Sequence, residues 1–76
     1  MKKVFFTTHS RERMHERNIS ESDVHRALNN PNIRLPSGSK KKKKIMAEIP
    51  DKSYLTVVYT ETRSKYTVVS VFWKGE

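Results

Sequence analysis

The sequence lacks cysteine, which excludes disulfides and thiolate metal sites and suits a reducing cytosol. It has only three histidines, in neither HxxxH nor HExxH spacing, so we expect no metal ion and no other cofactor. It also has no apolar run long enough to span a membrane, and residues 1–7 lack the long apolar segment of a signal peptide. These absences predict a cytoplasmic protein with no membrane partner.

Acidic residues are scarce relative to basic ones. The 76-residue chain carries 16 Lys and Arg against 8 Asp and Glu, which gives a net charge of +8 and a pI near 10.1. Such a field attracts polyanions, above all nucleic acid, and also acidic proteins. The length predicts one domain, residues 1–76, near the lower limit for a single core.

Residues 9–20 carry most of the chemistry that the sequence offers. They read as a short helix capped by Thr8 or Ser10 and ending near Asn18. Ser10 and Met14 lie four residues apart and form the stripe that we expect to be buried. A neighbouring stripe then carries the polar side chains along the rim of the helix.

That polar stripe consists of His9, Arg13 and Arg17. An imidazole can transfer a proton near neutral pH, and a guanidinium can hold two phosphate oxygens, so the stripe suits a phosphodiester. The alternative is that His9 only begins the helix and that the arginines form a solvated face paired with Glu16 and Glu21. The sequence leaves both interpretations open.

A second helix is predicted from Ser20, which caps it, to the residues before Pro31, which ends it. Val24, Ala27 and Leu28 recur at the spacing of a buried helical face. Residues 32–44 then read as a long loop that contains five consecutive lysines: Lys40, Lys41, Lys42, Lys43 and Lys44. The run either binds a nucleic-acid backbone without reading its sequence or only solubilises the loop and protects a strand edge.

The remaining chain alternates with a period of two. Strands are predicted at residues 3–7, 45–49, 54–60 and 65–74. The alternation places Leu55, Val57 and Tyr59 on one face of the third of these strands; in the last strand it groups Val68 with Phe72. The predicted fold is therefore α+β, in the order β-α-α-β-β-β, with both helices packed on one face of a small antiparallel sheet. The other face, rich in Tyr, Thr and Ser, would be a shallow platform near the lysines. Its aromatic rings either stack on unpaired bases or are present only because aromatic residues favour strands.

Two stretches together resemble a known family. They are His9-x-x-x-Arg13-Met14-x-x-Arg17-Asn18-Ile19-Ser20-x-x-Asp23-Val24-x-x-Ala27-Leu28-x-x-Pro31 and Val69-Ser70-Val71-Phe72-Trp73. They resemble the small prokaryotic family called domain of unknown function 4258, which looks related to toxins of the RelE/ParE type. The family usually has glycine where Asn18 stands, and asparagine tolerates the same left-handed conformation. The lysine run lies outside the family pattern.

The resemblance implies a RelE-like fold and a toxin-type, metal-independent endoribonuclease. By position, His9 would be the general base or acid and Arg13 would stabilise charge on the phosphate, while Arg17 and Lys40 to Lys44 would bind the RNA backbone. His15, Tyr54 and Tyr59 are candidates for a second proton-transfer group. The implied partners are RNA, the ribosome and an acidic antitoxin-like protein. The alternative is a non-catalytic module that binds nucleic acid or, like ParE, a protein.

Overall fold

The computed structural model describes residues 2–38 and 40–75. Ser39, which belongs to the loop predicted over residues 32–44, lies outside them. In this part of the chain two helices and a sheet form an α+β fold, as predicted. In chain order the elements are β1 (Lys3–Phe6), α1 (Thr8–Glu16), α2 (Glu21–Asn29), β2 (Ile33–Leu35), β3 (Lys43–Glu48), β4 (Tyr54–Glu61) and β5 (Lys65–Trp73). Neither helix in this part of the chain has the length and apolar character needed to cross a membrane.

Helix α1 begins one residue earlier than predicted, because Thr7 is its cap. The Thr7 hydroxyl accepts a hydrogen bond from the amide of Ser10 at 3.1 Å. Ser10 is fully buried and its own hydroxyl donates to the Thr7 carbonyl at 2.8 Å. The predicted buried pair of Ser10 and Met14 is confirmed. After α1, Asn18 adopts a φ of 55°, the left-handed conformation expected of a residue in a glycine position.

Helix α2 begins with a capping box. The Ser20 hydroxyl accepts from the amide of Asp23, and the Asp23 carboxylate accepts from the amide of Ser20, both at 3.1 Å. Lys52 also bonds to Asp23, at 2.7 Å. The predicted start, the buried Val24 and the end of the helix before Pro31 are confirmed.

The sheet has the strand order β1-β5-β4-β3-β2. It is mixed rather than wholly antiparallel, because β1 pairs with β5 in parallel while the other neighbours are antiparallel. The loop predicted over residues 32–44 was wrong in its extent. Strand β2 forms at Ile33–Leu35, and β3 already begins at Lys43. Strand β2 has only three residues, too few to show a two-residue period of apolar side chains. The start of β3 was missed because its first two residues are lysines, which are not typical of strands.

A register shift changes which side chains of β5 face the core. Val58 pairs with Ser70 but Tyr59 pairs with Val68, so Val69 has no partner in β4. This extra residue is a β-bulge, and it lets Val68 and Val71 both point into the core, where both are fully buried. The predicted grouping of Val68 with Phe72 was therefore wrong.

The core lies between the helices and one face of the sheet. Side chains of both helices share a single cluster with those of β3, β4 and β5. The fully buried members are Val24, Ala27, Ile45, Ala47, Leu55, Val57, Val68 and Val71. The helices leave the opposite side of the sheet uncovered, and we call this side the open face.

Candidate functional site

A shallow cavity of about 350 Å³ lies between α1 and the second half of β5. Its lining residues are His9, Arg13, Arg17, Ser70, Val71 and Phe72. The predicted stripe of His9, Arg13 and Arg17 is thus brought together on one wall, and we call this site the α1–β5 cavity.

Buried contacts fix the α1 wall of the cavity. On the far side of the helix, Ser10 and Met14 are buried, which turns His9 and Arg13 outward. At the start of the helix, the Thr7 amide donates to the carbonyl of Val68 at 3.2 Å. At its end, the Trp73 indole donates to the carbonyl of Arg17 at 2.8 Å. The stripe is therefore held against β5 at both ends of the helix.

The electrostatics of the wall are those of an accessible cationic surface. His9 is exposed, and Arg13 forms an ion pair with Glu16 at 2.9 Å in which the two side chains are 40% and 57% exposed. Such a pair is weak in water, so a phosphate could replace the carboxylate. The alternative predicted from sequence, pairing with Glu16, is correct for Arg13, whereas Glu21 approaches Arg11 at 3.7 Å instead.

The five consecutive lysines do not lie on one surface, because strand geometry separates them. Lys40, Lys41 and Lys42 are exposed before β3 begins. Lys43 and Lys44 are in β3, where successive side chains point to opposite faces of the sheet. The ammonium of Lys44 lies 5.6 Å from the ring centroid of Phe72 on the open face. Lys44 is thus the member of the run that adjoins a lining residue of the α1–β5 cavity.

Lys43 takes part in an ion-pair cluster on the helix side of the sheet. Glu61 accepts hydrogen bonds from Lys2 and, at 2.8 Å, from Lys43. The hydrogen bond from Lys2 and, next in importance, that from Lys43 hold the pKa of Glu61 below its ordinary value. The hydrogen bond between Lys43 and Glu61 in turn raises the pKa of Lys43. Lys43 is therefore bonded to Glu61 and does not line the α1–β5 cavity.

The three candidates for a second proton-transfer group lie elsewhere. Tyr59 is 4% exposed and packs edge-to-face on Tyr66 at 5.5 Å within the core, so it cannot reach a substrate and that prediction was wrong. His15 is exposed, and Tyr54 lies on the open face, but neither lines the α1–β5 cavity. The side-chain hydroxyl that the structure does place there belongs to Ser70.

Sequence reasoning missed the β5 wall of the cavity. Ser70 and Phe72 line it because the bulge at Val69 resets the alternation of the strand. No glycine or proline in residues 68–73 marks this bulge. The feature of the sequence that indicates the bulge is the presence of apolar residues on both faces of β5 when a strict two-residue period is assumed.

Among residues 2–38 and 40–75, no three His, Asp or Glu side chains lie together as a potential metal site. No curated protein and no solved structure shows a significant match to the chain. A family model does match, over residues 6–73, and so includes the α1–β5 cavity in full. Because this match spans most of the sequence, the protein belongs to the family described as domain of unknown function, DUF4258.

Proposed function

We propose that the protein is a RelE-like, toxin-type endoribonuclease that cleaves RNA without a metal ion. The observation that carries the proposal is the convergence of His9, Arg13 and Arg17 on the α1–β5 cavity. An imidazole beside two guanidiniums combines a proton acceptor with two groups that bind phosphate oxygens. The net charge of +8 supports a polyanion such as RNA as the substrate, and the proposal takes the DUF4258 family to be related to RelE/ParE toxins.

In the proposed reaction, the 2′-oxygen of a ribose attacks the adjacent phosphorus and the bond from phosphorus to the 5′-oxygen breaks. His9 accepts the proton of the 2′-hydroxyl as general base, and water in the open cavity supplies the proton to the departing 5′-oxygen. Arg13 binds the phosphate oxygens, on which negative charge increases in the transition state. Arg17 and Lys44 position the backbone on either side. The products are a 2′,3′-cyclic phosphate and a 5′-hydroxyl.

One observation favours a second function, in which the same surface binds without catalysis. The α1–β5 cavity is shallow, and within residues 2–38 and 40–75 its lining includes a single imidazole and no carboxylate or tyrosine. Such a site holds a phosphate but has few groups for proton transfer. In this alternative the protein is a basic module that binds nucleic acid or, like ParE, a protein partner.

The test compares wild type with His9→Ala and Arg13→Ala on single-stranded RNA of mixed sequence in EDTA, with and without ribosomes. His25→Ala and Arg26→Ala are matched controls, because both residues are exposed on α2 and neither lines the cavity. The nuclease proposal expects cleavage by wild type and both controls, with a loss of about a hundredfold or more in the two cavity variants.

The products and the binding data separate the two functions. Cleavage that ends in a 2′,3′-cyclic phosphate supports the proposed step. Intact RNA in every tube, together with RNA binding that His9→Ala and Arg13→Ala weaken, would overturn catalysis in favour of the binding module. Intact RNA and no binding would leave the protein-binding alternative.

A further inference from the structure

The open face carries two rows of side chains that the strand register defines. Residues paired across strands point to the same side of the sheet. One row is Phe72, Thr56, Met46 and Ile33, and the next is Ser70, Val58, Lys44 and Leu35. Phe5 and Thr67 extend the same face towards β1. The open face is therefore broad, largely apolar and not covered by either helix.

Three aromatic rings on this face each have a lysine ammonium over them. The ammonium lies 5.3 Å from the ring centroid for Lys65 over Phe5, 5.6 Å for Lys44 over Phe72 and 5.5 Å for Lys74 over Tyr54. Phe5 is 48% exposed, a large fraction for a phenylalanine. A cation above an exposed ring is held weakly in water, so a flat ligand can displace it.

The charge around the open face is mainly positive. Lys3, Lys44 and Lys65 point to this side by register, whereas one acid, Glu48, does so beside Tyr54. Exposed aromatic rings bordered by cations are complementary to a ligand that has flat apolar faces and a negative backbone. Unpaired nucleotides have both properties: their bases stack on aromatic rings while Lys and Arg neutralise the phosphates.

The open face is continuous with the α1–β5 cavity. Phe72 and Ser70 belong to both, since they line the cavity and stand at the β5 end of the two rows. A strand whose phosphate contacts Arg13 can therefore place its next bases over Phe72. Base-paired nucleotides do not present free ring faces, so the arrangement selects unpaired strands.

We propose that the open face is a stacking platform for unpaired bases of single-stranded RNA, entered from the α1–β5 cavity through Phe72. The choice of RNA rests on the proposed function, whereas the platform itself rests on the aromatic rings, the lysines and the register. The protein then binds single-stranded RNA in preference to a duplex. Phe72 contributes through its ring rather than through its apolar volume.

The experiment measures binding by fluorescence anisotropy with a short fluorescein-labelled RNA of mixed sequence. The RNA carries 2′-O-methyl groups, which remove the attacking hydroxyl, so binding is read without cleavage. It is presented to the protein alone or annealed to its complement. The variants are Phe72→Leu and Phe5→Leu, each of which replaces a ring with an apolar side chain. Leu28→Met is the control, because Leu28 is a partly buried apolar residue of α2 that lies away from the open face and does not line the α1–β5 cavity.

We expect wild type to bind the single strand more tightly than the duplex. Phe72→Leu should lower the affinity for the single strand by about tenfold or more, Phe5→Leu should lower it less, and Leu28→Met should leave it unchanged. Thermal melting of each variant shows that it is folded. Because Phe5 is half exposed, Phe5→Leu serves as the test if Phe72→Leu melts early.

Equal binding by wild type and both ring variants would overturn the platform, as would tighter binding of the duplex. Binding of poly-glutamate but not of RNA would overturn it in favour of an acidic protein partner. The two proposals fail separately. His9-dependent cleavage with no effect of either ring variant rejects only the platform, whereas ring-dependent binding without any cleavage rejects only the nuclease.

Discussion

The indole Nε1 of Trp73 donates a hydrogen bond to the main-chain carbonyl of Arg17 at 2.8 Å. The bond joins the last residue of β5 to the residue that ends α1, 56 positions earlier in the chain. It satisfies one of the carbonyls that a helix leaves unpaired at its C-terminus. It also fixes the end of the cationic wall against the strand that carries Phe72.

Removing this bond should destabilise the protein. Trp73→Phe keeps an aromatic ring but leaves the Arg17 carbonyl without this partner, which should lower the free energy of unfolding by about 1–3 kcal/mol. Urea denaturation measures the change. Phe5→Leu, which shortens a half-exposed ring that donates no hydrogen bond, is the control and should cost less. An unchanged midpoint in Trp73→Phe would show that the bond contributes nothing to stability.

Position 18 should respond in opposite directions to two small residues. Asn18 has a φ of 55°, which glycine adopts without strain and alanine adopts at a cost of about 1–2 kcal/mol. Asn18→Gly should therefore match or raise the melting temperature of wild type, and Asn18→Ala should lower it. The same two substitutions at His25, which is exposed in the middle of α2, should show the reverse order, because a helix interior favours alanine. Identical melting of the two position-18 variants would refute the argument from backbone strain.

The sequence predicted both helices and the three longer antiparallel strands because their signals are local. Caps, periodic apolar residues and Pro31 define the helices within a few positions, and Ser20 is the clearest case. It did not predict β2 or the parallel pairing of β1 with β5. Both depend on contacts between residues distant in sequence, which no short window contains.

The candidate site was predicted only in part, because some of its residues are placed by local geometry and others by contacts distant in sequence. His9, Arg13 and Arg17 share a stripe through helix geometry alone, so their convergence could be derived. Phe72 could not be placed, because its side of the sheet depends on the unmarked bulge at Val69. The prediction that all five lysines lie in one loop was wrong. Lys43 and Lys44 point to opposite faces of the sheet, and only the register of β3 with β4 shows this.

The cap of α2 should contribute measurably to stability. Ser20→Ala removes the hydroxyl that accepts the amide of Asp23 and should cost about 0.5–2 kcal/mol. Ser22→Ala is a matched control, because Ser22 is exposed in the same first turn and is not the cap. Chemical denaturation of the two variants provides the comparison. Equal losses from both would contradict a specific role of the capping box.

Stability should fall in acid through Glu61. Its hydrogen bonds from Lys2 and Lys43 lower its pKa in the folded state below the ordinary value of 4.5. A lowered pKa means that the contribution is fully present above 4.5 and is lost as the pH falls through the folded value. Glu61→Gln should therefore melt below wild type at neutral pH, and the difference should shrink below pH 4.5. A constant difference across the acid range would refute the linkage.

Two adjacent lysines should differ in RNA binding because β3 directs them to opposite sides of the sheet. Lys44 lies over Phe72 on the open face, whereas Lys43 bonds to Glu61 on the helix side. If Lys44 contacts a phosphate, Lys44→Gln should weaken binding of the non-cleavable RNA. It should also reduce the slope of log affinity against log salt by about 0.7, the value for one phosphate on a single strand. Lys43→Gln removes the same charge and should change this slope less. Equal slopes for the two variants would mean that the run acts as a diffuse charge, and that strand geometry does not select which lysine meets the RNA.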